Sequence, residues 1–183
     1  MSATLFQDYS HYERLVREAE FSDCGRYRWY LRRSWKHGGD GRVVCFLGLN
    51  PSTADAKVDD PTIRRCMGFV KSWGASTLHM LNLFALRATN PKELLTSLNE
   101  PVGSKNDMHL LGCGTADIVV AAWGSWVPFG RDAKVLELLR DIPLKCLGTT
   151  KDGSPRHPLY VRADKQLEDF RGPLVERKSV THD

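Results

Sequence analysis

VVCFLGLNPSTAD, from Val43 to Asp55, joins two kinds of pattern. Its first half is a continuous apolar run, as expected of a strand buried on both faces in a parallel sheet. Its second half is a polar turn. Gly48 lets the backbone bend sharply and come close to a ligand. Asn50 offers an amide at the carboxyl end of the strand, and Pro51 stiffens the bend. Asp60-Pro61 then opens a helix, as an N-cap residue followed by proline at the first helical position. Strand, tight polar loop and helix make half of an α/β binding crevice.

The same alternation continues outward. Apolar runs at Val43 to Leu49, Thr77 to Phe84, Ile118 to Trp123 and Leu144 to Leu147 read as core strands. Helices are expected at Pro61 to Trp73, Asn90 to Ser97, Asp107 to Gly112 and Arg131 to Arg140, with shorter ones at Tyr12 to Glu20 and from Ala163-Asp164. The expected fold is a three-layer α/β/α sandwich with a short, mainly four-stranded parallel sheet. Residues 1–172 form its single domain and residues 173–183 a polar tail. Between Arg26 and Trp35, Tyr27, Trp29 and Leu31 alternate with Arg26, Arg28, Tyr30 and Arg32. This is the period-two pattern of a half-buried edge strand with one basic face, Arg33 included.

Bulk properties exclude several classes. The 183 residues, 42% hydrophobic and 26% charged, suit one soluble domain with a real core. No apolar stretch is long enough to span a bilayer, and the acid-bearing start lacks an export signal, so a cytoplasmic location without membrane contact is expected. The five cysteines are scattered without CxxC spacing, against a disulfide framework or a structural zinc site. Asp55, Asp59 and Asp60 have no nearby histidine or cysteine to complete a metal set. Neither GxxxxGK[ST] nor a strand-linked GxGxxG occurs. A net charge of +4 means that any nucleic-acid site must be a local patch.

In parallel sheets, ligands bind outside the carboxyl ends of the strands. The first expected strand runs into Asn50-Pro51-Ser52-Thr53 and the second ends at Asn82. The third runs into Trp123-Gly124-Ser125-Trp126 and the fourth leads to Arg156-His157-Pro158. Two amides, a histidine and two indoles therefore converge on one rim. Amides can pair with a base edge and indoles can stack on its face, so the set suits a nucleobase. Each residue also has a plainer use: loop capping for Asn82, an idle loop position for His157, packing for Trp123 and Trp126.

GLNPS after the first strand, an asparagine at the end of the second and His-Pro after the fourth resemble the motif layout of the uracil-DNA glycosylase superfamily. The branch most similar by motif is that of the mismatch-specific and thymine-DNA glycosylases. The fuller pattern, GLNPSTAD, then DDPTIRRC and later SPRHPLYV, resembles a bacterial and phage family catalogued only as a domain of unknown function, over most of Arg26 to Phe170. The superfamily resemblance implies a monomeric, metal- and cofactor-independent enzyme that flips a base out of DNA and cleaves its glycosidic bond. Asn50 would position the water that attacks the sugar C1′, with Asp55 as a substitute base. Asn82 would read the Watson–Crick edge in a pocket walled by Gly48, Leu49, Ser52 and Trp123. His157 would stabilise negative charge on the departing base. An amide is no strong general base, so an Asn50 enzyme should be slow. Leu159 or Tyr160 would wedge into the duplex. Arg156, Arg162 and Lys151 would hold phosphates, with Arg26, Arg28, Arg32 and Arg33 as further candidates.

The chain departs from uracil-specific members after the motif proline. They carry an aromatic residue there that blocks the thymine methyl group, whereas this chain has Ser52 and Thr53. Room at the pyrimidine C5 position implies no strict uracil selectivity and admits modified pyrimidines, in repair or in defence against phage. Two other classes fit the same residues: a module that binds an unusual base without cleaving it, and a hydrolase of free nucleosides or nucleotides.

Overall fold

Seven strands form one sheet in the computed structural model, which describes residues 15–35 and 39–172. They are β1 (Leu15–Phe21), β2 (Arg28–Trp35), β3 (Val43–Gly48), β4 (Thr77–Asn82), β5 (Ile118–Ala121), β6 (Leu144–Cys146) and β7 (Glu168–Phe170), in the order β1-β2-β4-β3-β5-β6-β7. The four apolar runs are the central strands β4, β3, β5 and β6, and they are parallel. The sheet is wider than the expected four strands. β2 and β1 extend one edge antiparallel, and β7 extends the other.

Two of the added strands replace expected helices. Of the helix expected at Tyr12 to Glu20, residues 12–14 lie outside the described residues and the rest belongs to β1, which pairs with β2 along its whole length. Its side chains are at most half-buried, so the pattern carries little periodic signal and the strand is fixed by its neighbour. The expected last helix is a turn around Ala163 and Asp164, followed by β7. The expected tail at 173–183 lies outside the described residues.

Helices cover both faces. α1 (Pro61–Ser72) buries Ile63, Cys66, Phe69 and Val70 against the face of the sheet that carries Val44, Phe46, Leu78 and Val120. The opposite face, with Cys45, Leu47, Leu81 and Ala121, packs against Leu94 of α2 (Glu93–Thr96), Leu110 of α3 (Asn106–Leu111) and Val135 of α4 (Arg131–Leu138). Successive residues of β3 thus serve opposite cores, which is why the strand has no polar position. No helix among the described residues is long and apolar enough to cross a membrane.

β2 corrects the sequence reading most. Two of its arginines are not solvated: Arg28 is 2% exposed and Arg33 is fully buried, whereas Arg26 is exposed and Arg32, partly exposed, pairs with Glu18 of β1. The segment after Pro51 folds back over β2 and accepts a hydrogen bond from each buried arginine. Arg28 donates from Nη1 to the carbonyl of Ala54 at 3.0 Å. Arg33 donates to the carbonyl of Asp55 and, from Nε, to the Asp59 carboxylate at 2.7 Å. Arg17 of β1 reaches the same carboxylate at 2.5 Å. The strand therefore clamps the loop that follows β3. Arg33→Met should destabilise the fold by about 3 kcal/mol, because it leaves a largely buried carboxylate with one cation instead of two. Urea unfolding of the variant beside wild type measures this.

Candidate functional site

The clamped loop walls a cavity of about 610 Å³ at the carboxyl ends of β3, β4 and β5. Parallel pairing sets its floor, because Gly48 lies directly beside Asn82. A Cβ on Gly48 would stand 2.9 Å from Asn82 Oδ1 and 2.5 Å from the Met80 methyl carbon. Glycine is needed here for close approach.

Asn82 is 2% exposed, and neither its Nδ2 nor its Oδ1 has a hydrogen-bond partner. A buried amide left unpaired costs about 1–3 kcal/mol. Asn106, equally buried, shows the contrast: its Nδ2 donates to the carbonyls of Asn82 and Leu83 at 3.0 and 2.9 Å. One asparagine serves the chain, and the other faces the cavity with a donor and an acceptor free.

Asn50 presents the opposite arrangement. Its Nδ2 donates to the carbonyls of Pro51 at 3.0 Å and Ala88 at 2.7 Å. Both amide hydrogens are spent, so only Oδ1 remains, as an acceptor. His157 caps the turn Pro158–Tyr160, and its Nδ1 accepts from the Leu159 N–H at 3.4 Å. The neutral ring then carries its proton on Nε2, as a donor. Burial lowers the His157 pKa below the ordinary value, against the opposing pull of Asp60.

Of the residues expected at the site, Gly48, Leu49, Asn50, Ser52, Asn82, Trp123, His157, Leu159 and Tyr160 all line this one cavity, together with Trp126. Trp123 is buried edge-on against Phe170, whereas Tyr160 is 81% exposed at the mouth. Four do not line it. Asp55 is an exception with a physical reason: its carboxylate accepts from the N–H groups of Lys57 (2.6 Å) and Val58 (2.8 Å), which lower its pKa. It holds the loop turn and does not line the cavity. Arg156 and Arg162 line a neighbouring surface depression, where Arg156 donates to the carbonyl of Thr149 and Arg162 pairs with Asp164. Lys151 is exposed on the loop before them.

Two charged lining residues have other uses in the sequence reading, Asp60 as an N-cap and Arg28 as a further phosphate contact. Asp60 caps α1, accepting from the Ile63 N–H at 2.8 Å, and is also the cavity's only carboxylate. Arg28 reaches the cavity from β2. An N-cap has a sufficient local explanation, and an arginine in an alternating strand points by default to solvent, so neither carried a signal. The aspartate cluster is dispersed: Asp55 holds the turn, Asp59 pairs with two arginines and Asp60 caps a helix. Among the described residues no three His, Cys, Asp or Glu side chains group as metal ligands.

An α/β protein with a pocket at the switch between parallel strands is the class that fold and site define. The model of the DUF1643 family, described as a protein of unknown function, matches residues 28–159, and the chain belongs to that family. No curated protein and no solved structure matches it.

Two outcomes follow from the unpaired groups. Asn82→Leu, close in shape, should raise stability by about 1–3 kcal/mol, since it removes an unsatisfied buried amide. A chemical denaturation midpoint reads this. His157, with a depressed folded pKa, contributes stability that is full above the unfolded value near 6.5 and is lost as pH falls through the folded value. Its imidazole resonances should therefore titrate below pH 6.5 in an NMR series.

Proposed function

We propose that the chain is a monofunctional DNA glycosylase of uracil-DNA glycosylase type, acting on a flipped, modified base. The observation that carries this reading is the unpartnered, buried amide of Asn82 at the end of a parallel strand. A pyrimidine Watson–Crick edge carries a donor beside acceptors, which is what a free Nδ2 and Oδ1 complement. Trp123 and Trp126 give the same cavity aromatic walls.

The reaction needs three things from the other groups. Water must be held at the sugar C1′, and the free Oδ1 of Asn50 can accept one of its protons' hydrogen bonds. The glycosidic electron pair must leave with the base, and a donor at Nε2 of His157 meets the charge that develops there. The duplex must be held open. Tyr160 and Leu159, exposed beside the mouth, are placed to fill the gap left by the flipped nucleotide. Lys151, Arg156 and Arg162 stand on the adjoining surface as phosphate contacts. With Asp55 occupied in its turn, Asn50 works without a carboxylate in its own loop, and turnover is slow.

A second reading rests on Asn50 itself. A pocket that recognises a base without cleaving it needs Asn82 but no attacking water. The two separate in one assay. Duplexes carrying uracil, mismatched thymine and C5-modified pyrimidines are incubated with protein, then treated with alkali to break abasic sites. The glycosylase reading expects strand breaks with at least one duplex. His157→Ala should lower that rate by about 10²–10³-fold, and Asn50→Ala should abolish it. Selective gel shifts without abasic product would favour the binding module, and turnover of free nucleosides alone would exclude DNA as substrate.

A further inference from the structure

Arg28 is a buried cation whose hydrogen bonds are nearly all unmade. It is 2% exposed and lines the cavity, yet it donates only from Nη1 to the carbonyl of Ala54. Among the described residues its Nε is a buried donor without a partner, and Nη2 also makes no hydrogen bond. A guanidinium has five N–H donors, so four lack a protein acceptor. Desolvation lowers its pKa to about 10, which still leaves it charged at neutral pH.

The charges around it decide what it can take. Arg33 and Arg87 act on it as like charges and Asp60 as the opposing one. Arg33 is already matched by Asp59. Asp60 is 9% exposed and lines the same cavity, but it forms no ion pair with Arg28. One carboxylate oxygen of Asp60 caps α1, and the other has no hydrogen-bond partner. The cavity wall therefore offers open Arg28 donors and an open Asp60 acceptor. An anion placed between them would meet the Asp60 charge, and an apolar group would leave both polar groups unpaired. A hydroxyl satisfies both: its oxygen accepts from Arg28 and its proton is donated to Asp60.

We propose that Arg28 and Asp60 form a second recognition point in the pocket, which reads a hydroxyl-bearing substituent on the bound base, of the hydroxymethylpyrimidine class. This rests on the base-pocket reading above and adds to it. The cavity volume is in the range of pockets that hold ligands much larger than a bare pyrimidine. Ser52 and Thr53 border the same space with small hydroxylated side chains, and Arg28 holds the backbone of the next residue, Ala54. The substituent would thus lie against the segment that closes the pocket.

The experiment uses two readouts on the full chain. Base release is measured from duplexes carrying hydroxymethyluracil, thymine, carboxyuracil or uracil, and from the cytosine counterparts. In parallel, the shift in melting temperature is measured with each free base. Within a ring series, hydroxymethyl should exceed methyl and carboxyl by about 10²-fold in release rate and give the largest thermal shift. Arg28→Met should bring the hydroxymethyl rate down to the methyl rate. Asp60→Asn, which keeps an N-cap side chain, should reduce the preference with the helix intact, and it covers the case in which Arg28→Met does not fold. Equal response to methyl and hydroxymethyl, or a preference for carboxyl, overturns the proposal. A hydroxymethyl-selective thermal shift without release from any duplex supports the recognition point and overturns the glycosylase reading alone. No selective shift with release of thymine or uracil does the reverse.

Discussion

Two buried guanidinium groups on one strand hold the loop from which the pocket is made. Arg28 and Arg33 of β2 donate to the backbone carbonyls of Ala54 and Asp55, and Arg33 also pairs with Asp59. Taking such cations out of water costs several kcal/mol each, and Arg33 recovers this through the Asp59 carboxylate and the Asp55 carbonyl. That geometry depends on the sheet edge. β2 lies between β1 and β4, and Arg17 of β1 shares the Asp59 carboxylate. The edge strands thus do more than widen the sheet. They fix the path of residues 54–59, and with it where Asn50, Ser52 and Asp60 stand around the cavity.

The parallel core was legible because its signal is compositional. Strands buried on both faces tend to be apolar throughout, as Val43–Gly48 and Ile118–Ala121 are, while the longer runs that contain Thr77–Asn82 and Leu144–Cys146 keep an apolar majority beside His79, Asn82 and Lys145. Asp60-Pro61 fixed the start of α1 for an equally local reason. The rim residues were legible because strand ends in such a sheet share one side. What was not legible depends on contacts distant in sequence. β1 and β7 are short or half-exposed, and pairing with a neighbour decides their state. The burial of Arg28 and Arg33 arises from a loop more than twenty residues away, and no pattern within β2 reports it. The turn that Asp55 holds was not legible for the same reason. Its type and place suit a base, but the structure sets it outside the cavity, with the N–H groups of Lys57 and Val58 both donating to its Oδ1.

Unsatisfied buried polar atoms concentrate at this site. Six such side-chain atoms occur among the described residues, and three belong to Asn82 and Arg28, both of which line the cavity. Natural chains pair almost all such groups, and exceptions gather where a ligand completes them. Asn106 shows that this fold can satisfy a buried amide one helix away, so the state of Asn82 is not a general looseness of packing.

The polarity of each group then limits the chemistry more than its identity does. Asn50 has spent its donors and presents an acceptor. His157 has spent its acceptor on Leu159 and presents a donor. Asn82 keeps one of each. In the proposed reaction, an Asn50 free to turn its amide would compete with His157 as a donor toward the leaving base and could not reliably order a water. Fixing it through Pro51 and Ala88 removes that ambiguity, and it does so with the backbone of the same loop that Arg28 and Arg33 hold in place. An acceptor for a nucleophile, a donor for a leaving group and a mixed pair for a base edge form a consistent set. In the proposed glycosylase, with no free carboxylate in the Asn50 loop, the set would work by position and polarisation rather than by strong proton abstraction.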